Sequence, residues 1–240
     1  MVSDRVAGVT KTEAVLFDWG GTLATWHEVD LPALWRAVAV LIDEERADEV
    51  TKRLLDAEHS IWARSRDQHL SSTLEEVCLL AEVEWSEAAN KQYELGWDPH
   101  TVLEPDALET IRGLRERGLK VGVLSNTIWS RRWHEEIFAR DGVLELLDGA
   151  VYTSEIPYTK PHPEAFRAAM KAVGVSDPAT CLYVGDRLFD DVWGAQNAGM
   201  RAAHIPHSAI PAHQIGHTEG TPDATIQRLG ELLPLIDSWN

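Results

Sequence analysis

Three short apolar runs, each stopped abruptly by polar residues, constrain this chain most. Ala14–Phe17 runs into Asp18, residues 119–124 run into Ser125-Asn126, and residues 181–184 run into Gly185-Asp186. Apolar runs of this length, bounded by turn signals, read as buried strands that end in tight turns. Helical spacing separates them. Ala107, Leu108, Ile111 and Leu114 mark a helix ending at Gly118, Pro163–Val173 a second, and residues 191–198 a third closed by Gly199. Residues 150–153 and 201–205 read as further strands and 226–236 as a last helix. Strands alternating with helices imply right-handed crossovers and an α/β fold with a doubly wound parallel sheet.

One block breaks that alternation. Between Leu31 and about Leu95 every apolar spacing is helical: Leu34, Trp35, Val38 and Ala39, then Val50, Leu54, Ile61 and Trp62, then Leu74, Val77, Cys78 and Ala81, the last preceded by Ser71-Ser72-Thr73 as N-cap candidates. The expected organisation is therefore an α/β core over residues 1–26 and 99–240, with an all-helical domain over 27–98 inserted after the first strand.

Composition bounds the partners. Of 240 residues, 44% are hydrophobic, which suits a folded core. Lys and Arg number 22 against 39 Asp and Glu, so the formal net charge is −17. Such a chain repels phosphate backbones and anionic lipid surfaces, which argues against nucleic acid and membrane as partners. No apolar stretch approaches the roughly 20 residues of a membrane helix, and the start lacks a signal-peptide layout, so a cytoplasmic location is expected. Cys78 and Cys181 sit in apolar runs and read as buried free thiols. No residue pattern specifies an oligomeric state.

Ligands of open parallel sheets bind at the carboxyl ends of the strands. That edge collects Asp18, Ser125, Asn126 and Asp186, and the loop Tyr158-Thr159-Lys160-Pro161-His162-Pro163 brings Lys160 just ahead of a helix. These pieces, in this order, resemble the haloacid dehalogenase-like hydrolase superfamily. Its first motif, Asp-x-Asp-Gly-Thr, corresponds to Asp18-Trp19-Gly20-Gly21-Thr22. Its second is Ser125-Asn126, its third Lys160-Pro161, and its fourth Gly185-Asp186 followed by Asp190-Asp191 and Gly194-Ala195. The helical insert resembles that family's helical cap.

The resemblance implies a Rossmann-like core and Mg²⁺-dependent hydrolysis of a small phosphorylated or otherwise anionic substrate. Asp18 would attack phosphorus and form an aspartyl-phosphate, splitting hydrolysis into two steps. Amides of the turn at Gly21 and Thr22, with Ser125 and Asn126, would bind phosphate oxygens. Lys160 would neutralise both the nucleophile and the phosphoryl group. Asp18, the Gly20 carbonyl, Asp186 and an outer acid would hold Mg²⁺, a hard cation that takes oxygen ligands. Asp190 and Asp191 compete for that outer place, and the spacing to Gly194-Ala195 favours Asp191.

One position departs from the pattern. Gly20 stands where the family's phosphatases carry the aspartate that protonates the leaving oxygen and then activates water, help worth about 10²–10⁴-fold. Three readings follow. The chain is a phosphatase with impaired or rerouted acid–base catalysis, with His27 and Glu28 as nearby stand-ins. Alternatively, its leaving group needs no proton, as in haloacid dehalogenases or phosphonoacetaldehyde hydrolases. The former replace the metal-site aspartate that this chain keeps as Asp186. The latter need a cap lysine, for which Lys52 is the candidate, although its neighbours make a solvated helix face. The third reading is a low-turnover phosphate-binding or regulatory protein.

Arg64 and Arg66 are the concentrated basic spot of the insert, and residues two apart on a helix cannot aim at one point. Trp19, Trp26 and Trp129 flank the first two motifs and either line a substrate pocket or pack the hinge. Trp35, Trp62 and Trp193 fall on apolar helix faces and are expected in the core. His204, His207, His213 and His217 read as loop histidines rather than a zinc site.

Overall fold

Ala14–Phe17 is buried along its whole length, as a continuous apolar run must be in the middle of a covered sheet. In the computed structural model, which describes residues 11–25, 28–206 and 217–240, this strand (β1) lies inside a six-stranded sheet of order β3-β2-β1-β4-β5-β6. Its partners are β2 (Lys120–Ser125), β3 (Gly149–Tyr152), β4 (Cys181–Gly185), β5 (Arg201–His204) and β6 (Ala224–Thr225), and every pairing is parallel. Side chains alternate across the layer. Val15 and Phe17 join Leu182 and Val184 in one apolar cluster, while Ala14 and Leu16 join Cys181 and Tyr183 in the other. The α/β doubly wound architecture is thus as expected.

Strand order fixes where a ligand can sit. The chain steps from β1 outward to β2 and β3, then returns across the sheet to β4. The crevice between β1 and β4 is the topological switch point. Phe17 is in register with Val123 on one side and Val184 on the other, so Asp18 emerges between the ends of β2 and β4.

Four helices lie between β1 and β2: α1 (Leu31–Ile42), α2 (Ala47–Gln68), α3 (Leu74–Leu80) and α4 (Glu87–Trp97). Their starts are written in the sequence. Asp30, Thr73 and Ser86 each accept a hydrogen bond from a first-turn amide. Then follow α5 (Ala107–Glu116), α6 (Arg131–Arg140), α7 (Pro163–Val173), α8 (Gly194–Asn197) and α9 (Leu232–Trp239). Among the described residues no helix is long and apolar enough to cross a membrane. Cys78 and Cys181 are buried and unpaired by any disulfide, as expected.

Several expectations need correction. Residues 191–198 do not form one α-helix. A π-helical segment, Leu188–Trp193, precedes a short α8. Such wide turns redirect a side chain, and this one turns Asp191 inward. The last helix begins at Leu232, because Ala224–Thr225 pairs with β5 and the Ile226 amide still donates to the His204 carbonyl. Helix α6 and strand β6 were not read from the sequence. Trp35 is fully buried, whereas Trp62 and Trp193 are 37% and 38% exposed, so those two are not core residues.

Candidate active site

At the switch point Lys160 is the hub. Its ammonium lies 2.6 Å from Asp18 Oδ1, 2.6 Å from Asp191 Oδ1 and 2.9 Å from the Tyr183 hydroxyl, and all four side chains are buried. The Tyr183 hydroxyl in turn donates to the Leu124 carbonyl at 3.0 Å, tying the lysine to the end of β2. Asp18, Asp186 and Asp191 can place one carboxylate oxygen each within 4.8 Å of one another. The structure therefore brings together four of the residues named from sequence, Asp18, Lys160, Asp186 and Asp191, and it separates the two acids that competed. Asp190 is 30% exposed and faces Arg187 at 4.0 Å, whereas Asp191 is inside.

Local sequence explains this convergence. Asp191 Oδ2 accepts from the Arg187 amide at 2.9 Å, folding the π-helical turn onto itself. Its carboxyl lies so close to Gly185 that a Cβ there would overlap it. Gly194 likewise leaves room for Phe166 and Pro161, which would stand 2.8 and 2.9 Å from a Cβ. Gly21 takes φ +90°, open to glycine at little cost, and lets the turn after Asp18 close.

The electrostatics follow from crowding. Burial pushes the Asp18 carboxyl up to about 7; Lys160 pulls it down, and Asp191 and Asp186 push it up again. Burial by itself would depress the Lys160 ammonium, but Asp18 and Asp191 overcome it and hold the group well above its usual range. Three buried carboxylates against one ammonium leave a formal excess of −3 + 1 = −2. An all-oxygen donor set with that excess suits a divalent hard cation.

The other candidates sit as follows. Ser125 is buried at the end of β2. Asn126 holds the lysine backbone: its Oδ1 accepts from Lys160 N at 2.8 Å and its Nδ2 donates to Lys160 O at 3.1 Å. The Gly21 and Thr22 amides donate to Ala24 and Trp19 carbonyls inside the turn. Gly20 pairs with Ala24 in a short parallel bridge. Thr22 is fully buried, and its hydroxyl has no partner among the described residues.

Several residues lie elsewhere. Lys52 is 77% exposed and paired with Asp56 at 2.5 Å, so no cap lysine from that position reaches the site. Arg64 bonds Ser72 and Glu76 at 2.6 and 2.8 Å, joining α2 to α3, and Arg66 pairs with Asp67 on the surface. Trp19 and Trp129 are buried with ring centroids 5.5 Å apart, in a packed group with Trp133 and His134. Glu28 is exposed; Trp26 and His27 lie outside the described residues. His204 Nε2 contacts the Asp186 carbonyl at 3.0 Å and His217 faces Glu219 at 3.6 Å, while His207 and His213 lie outside the described residues. Sequence reasoning missed Tyr183, which the apolar run of β4 disguised as core.

The geometry is matched by kinship. A family model described as haloacid dehalogenase-like hydrolase matches residues 12–199. A glyceraldehyde 3-phosphate phosphatase of Methanopyrus kandleri is 28% identical over 228 residues, covering 93% of this chain and 97% of that one. A pyrophosphatase PpaX of Bacillus cereus is 24% identical over 232 residues, covering 96% and 99%. A crystal structure of a HAD phosphatase from Thermococcus onnurineus superposes with a TM-score of 0.66 at 25% identity, covering 94% and 98%. The chain is a hydrolase, and it belongs to the haloacid dehalogenase-like family.

Proposed function

We propose that the protein is a phosphatase acting on small phosphorylated metabolites through a phosphorylated Asp18. The observation that carries this reading is the buried Lys160 ammonium held 2.6 Å from both Asp18 and Asp191 at the carboxyl edge of the sheet. A carboxylate there is aimed where ligands of such sheets bind, and Lys160 compensates its charge at Oδ1. The near full-length relatives named as phosphatases support the same reaction class.

In the first step an Asp18 oxygen forms a bond to phosphorus as the ester P–O bond breaks. In the second, water attacks phosphorus, the bond to Asp18 breaks and phosphate leaves. Lys160 holds the nucleophile's orientation and offsets charge on the transferred group. Ser125 and the Thr22 hydroxyl donate to phosphoryl oxygens, whereas the Gly21 and Thr22 amides are engaged within the turn. Asn126 acts through Lys160, whose backbone it clasps. Asp18, Asp186 and Asp191, with the Gly20 carbonyl, would hold Mg²⁺, which supplies Lewis acidity toward the phosphoryl oxygens when bound. Residues 27–98 would form the cap that covers this edge and selects the leaving group, in a soluble cytoplasmic enzyme.

A panel of phosphate monoesters, phosphonoacetaldehyde and 2-haloacids, assayed with and without Mg²⁺, tests the reading. Mg²⁺-dependent release of phosphate from monoesters, lost in Asp18→Asn, is expected. Turnover of haloacids alone, or none with any substrate, would overturn it.

A further inference from the structure

We infer that His69, carried by the helical insert, is the acid that protonates the leaving group in place of the aspartate that position 20 lacks. The inference rests on the phosphatase reading. In-line displacement places the leaving oxygen opposite the attacking Asp18, away from the sheet edge and toward the helices between β1 and β2. The proton must therefore come from that side.

His69 is built into that junction. It ends α2 in the left-handed region, φ 57°, where its amide closes the helix onto the Ser65 carbonyl at 2.9 Å. The turn lays residues 69–71 against residues 157–159. The Thr159 amide donates to the His69 carbonyl at 2.9 Å, Leu70 bridges Tyr158, and the Ser71 amide donates to the Pro157 carbonyl at 3.1 Å. Ser65 and Thr159 join through their hydroxyls at 3.0 Å. The next residue is Lys160. On its other side the His69 ring lies 6.4 Å from that of Phe189, within the segment that runs from Asp186 to Asp191. The imidazole thus sits between the two segments that deliver Lys160 and Asp191.

The neighbouring histidine ring nitrogens have partners, and among the described residues His69 Nδ1 does not. His162 Nδ1 accepts from the Glu164 amide at 3.2 Å, and its ring stacks on Tyr158 at 3.8 Å. His217 faces Glu219 and packs on Phe189 at 4.6 Å. His69 Nδ1 is shielded from solvent and has no hydrogen-bond partner among the described residues. A buried ring nitrogen without a partner is costly unless a ligand completes it.

The step balances without a further reactant. As Asp18 bonds to phosphorus and the ester bond breaks, the His69 imidazolium proton passes to the leaving oxygen, releasing an alcohol. The neutral imidazole then takes a proton from the water that attacks phosphorus, which restores the imidazolium as phosphate and free Asp18 form.

The test compares kcat/KM of wild type and His69→Asn on β-glycerophosphate, whose alkoxide needs a proton, and on p-nitrophenyl phosphate, whose phenolate does not. This parameter reports the first chemical step and not the second. Asparagine tolerates the left-handed backbone, and the docking bonds of residues 69–71 run mainly through main chain. A loss of about 100-fold on β-glycerophosphate with less than about fivefold on p-nitrophenyl phosphate is expected. Equal losses on both, or no loss on either, would overturn the assignment. In wild type itself, a series of alkyl and aryl phosphates should show only weak dependence on leaving-group basicity; a steep dependence overturns the assignment even where the variant fails to fold. A wild type that hydrolyses neither probe refutes the phosphatase reading and this inference with it. Wild-type hydrolysis without the expected pattern refutes His69 alone.

Discussion

Asn126 grips Lys160 by its backbone: the carboxamide accepts from the Lys160 amide at 2.8 Å and donates to its carbonyl at 3.1 Å. The two residues are 34 apart in sequence, and this contact ties the end of β2 to the loop that delivers the ammonium. An asparagine expected to bind phosphate thus also holds the backbone of Lys160. Asn126→Ala removes both bonds, at a cost of about 1–3 kcal/mol each where a buried partner is left unsatisfied. Thermal denaturation should register that loss, and kcat/KM should fall at least tenfold. A variant as active as wild type would show that Lys160 needs no such clasp.

Gly185 owes its identity to Asp191. A methyl group there must displace the Asp191 carboxyl, one of the three acids proposed to hold Mg²⁺. Gly185→Ala is expected to raise the Mg²⁺ concentration for half-maximal activity by about tenfold or more, the usual scale for disturbing the support of a metal ligand. Magnesium titration of activity checks this; an unchanged midpoint would place Asp191 outside the metal site.

Restoring the absent carboxylate gives a complementary test. Gly20→Asp should raise turnover of p-nitrophenyl phosphate, because a base beside the aspartyl-phosphate activates water in the second step. In the His69→Asn background it should also recover β-glycerophosphate hydrolysis, by about 10²-fold if both groups serve the same proton. Activity unchanged or lost in Gly20→Asp would mean that the glycine is not a missing acid.

His134 sets an acid limit on stability. It is fully buried, stacked on Tyr152 at 4.4 Å and bonded to the Thr127 hydroxyl at 3.0 Å. Burial, aided by Arg131, pushes its imidazole down to about 3 from an ordinary 6.5. The unfolded chain therefore binds this proton before the folded one does. Nothing is lost above pH 6.5, and below it the fold loses about 1.4 kcal/mol per pH unit until the folded imidazole titrates. Thermal melts at pH 7.5 and pH 5 should show a larger fall in Tm for wild type than for His134→Gln. Equal falls would mean that this histidine is not the acid-sensitive group.

Much of this was legible in the chain because the signals are local. Apolar runs ending in polar residues fixed β1, β2 and β4 and the edge that carries Asp18 and Asp186. The cap candidates Ser71-Ser72-Thr73 marked the start of α3, where Thr73 accepts from the Glu76 amide. What escaped depends on contacts distant in sequence. Asp191 was distinguished from Asp190 only by spacing; its burial comes from a π-helical turn that no helical period announces. Tyr183 looked like core because its ring is core and only its hydroxyl reaches Lys160. Helix α6 carries three Arg residues among ten, which hid the buried spacing of Trp133, Ile137 and Phe138. The place of His69 is set by main-chain bonds to the Lys160 loop, some 90 residues on, which no local pattern encodes.

The central claim is that Asp18 carries the phosphoryl group between the two steps. Rapid acid quenching during steady-state turnover of a phosphate monoester, followed by mass spectrometry of the peptide containing residue 18, measures this directly. A phosphoryl group on Asp18 in wild type, absent together with activity in Asp18→Asn, is the expected result. Continued turnover by Asp18→Asn, or steady wild-type turnover with the phosphoryl group on another residue, would contradict it.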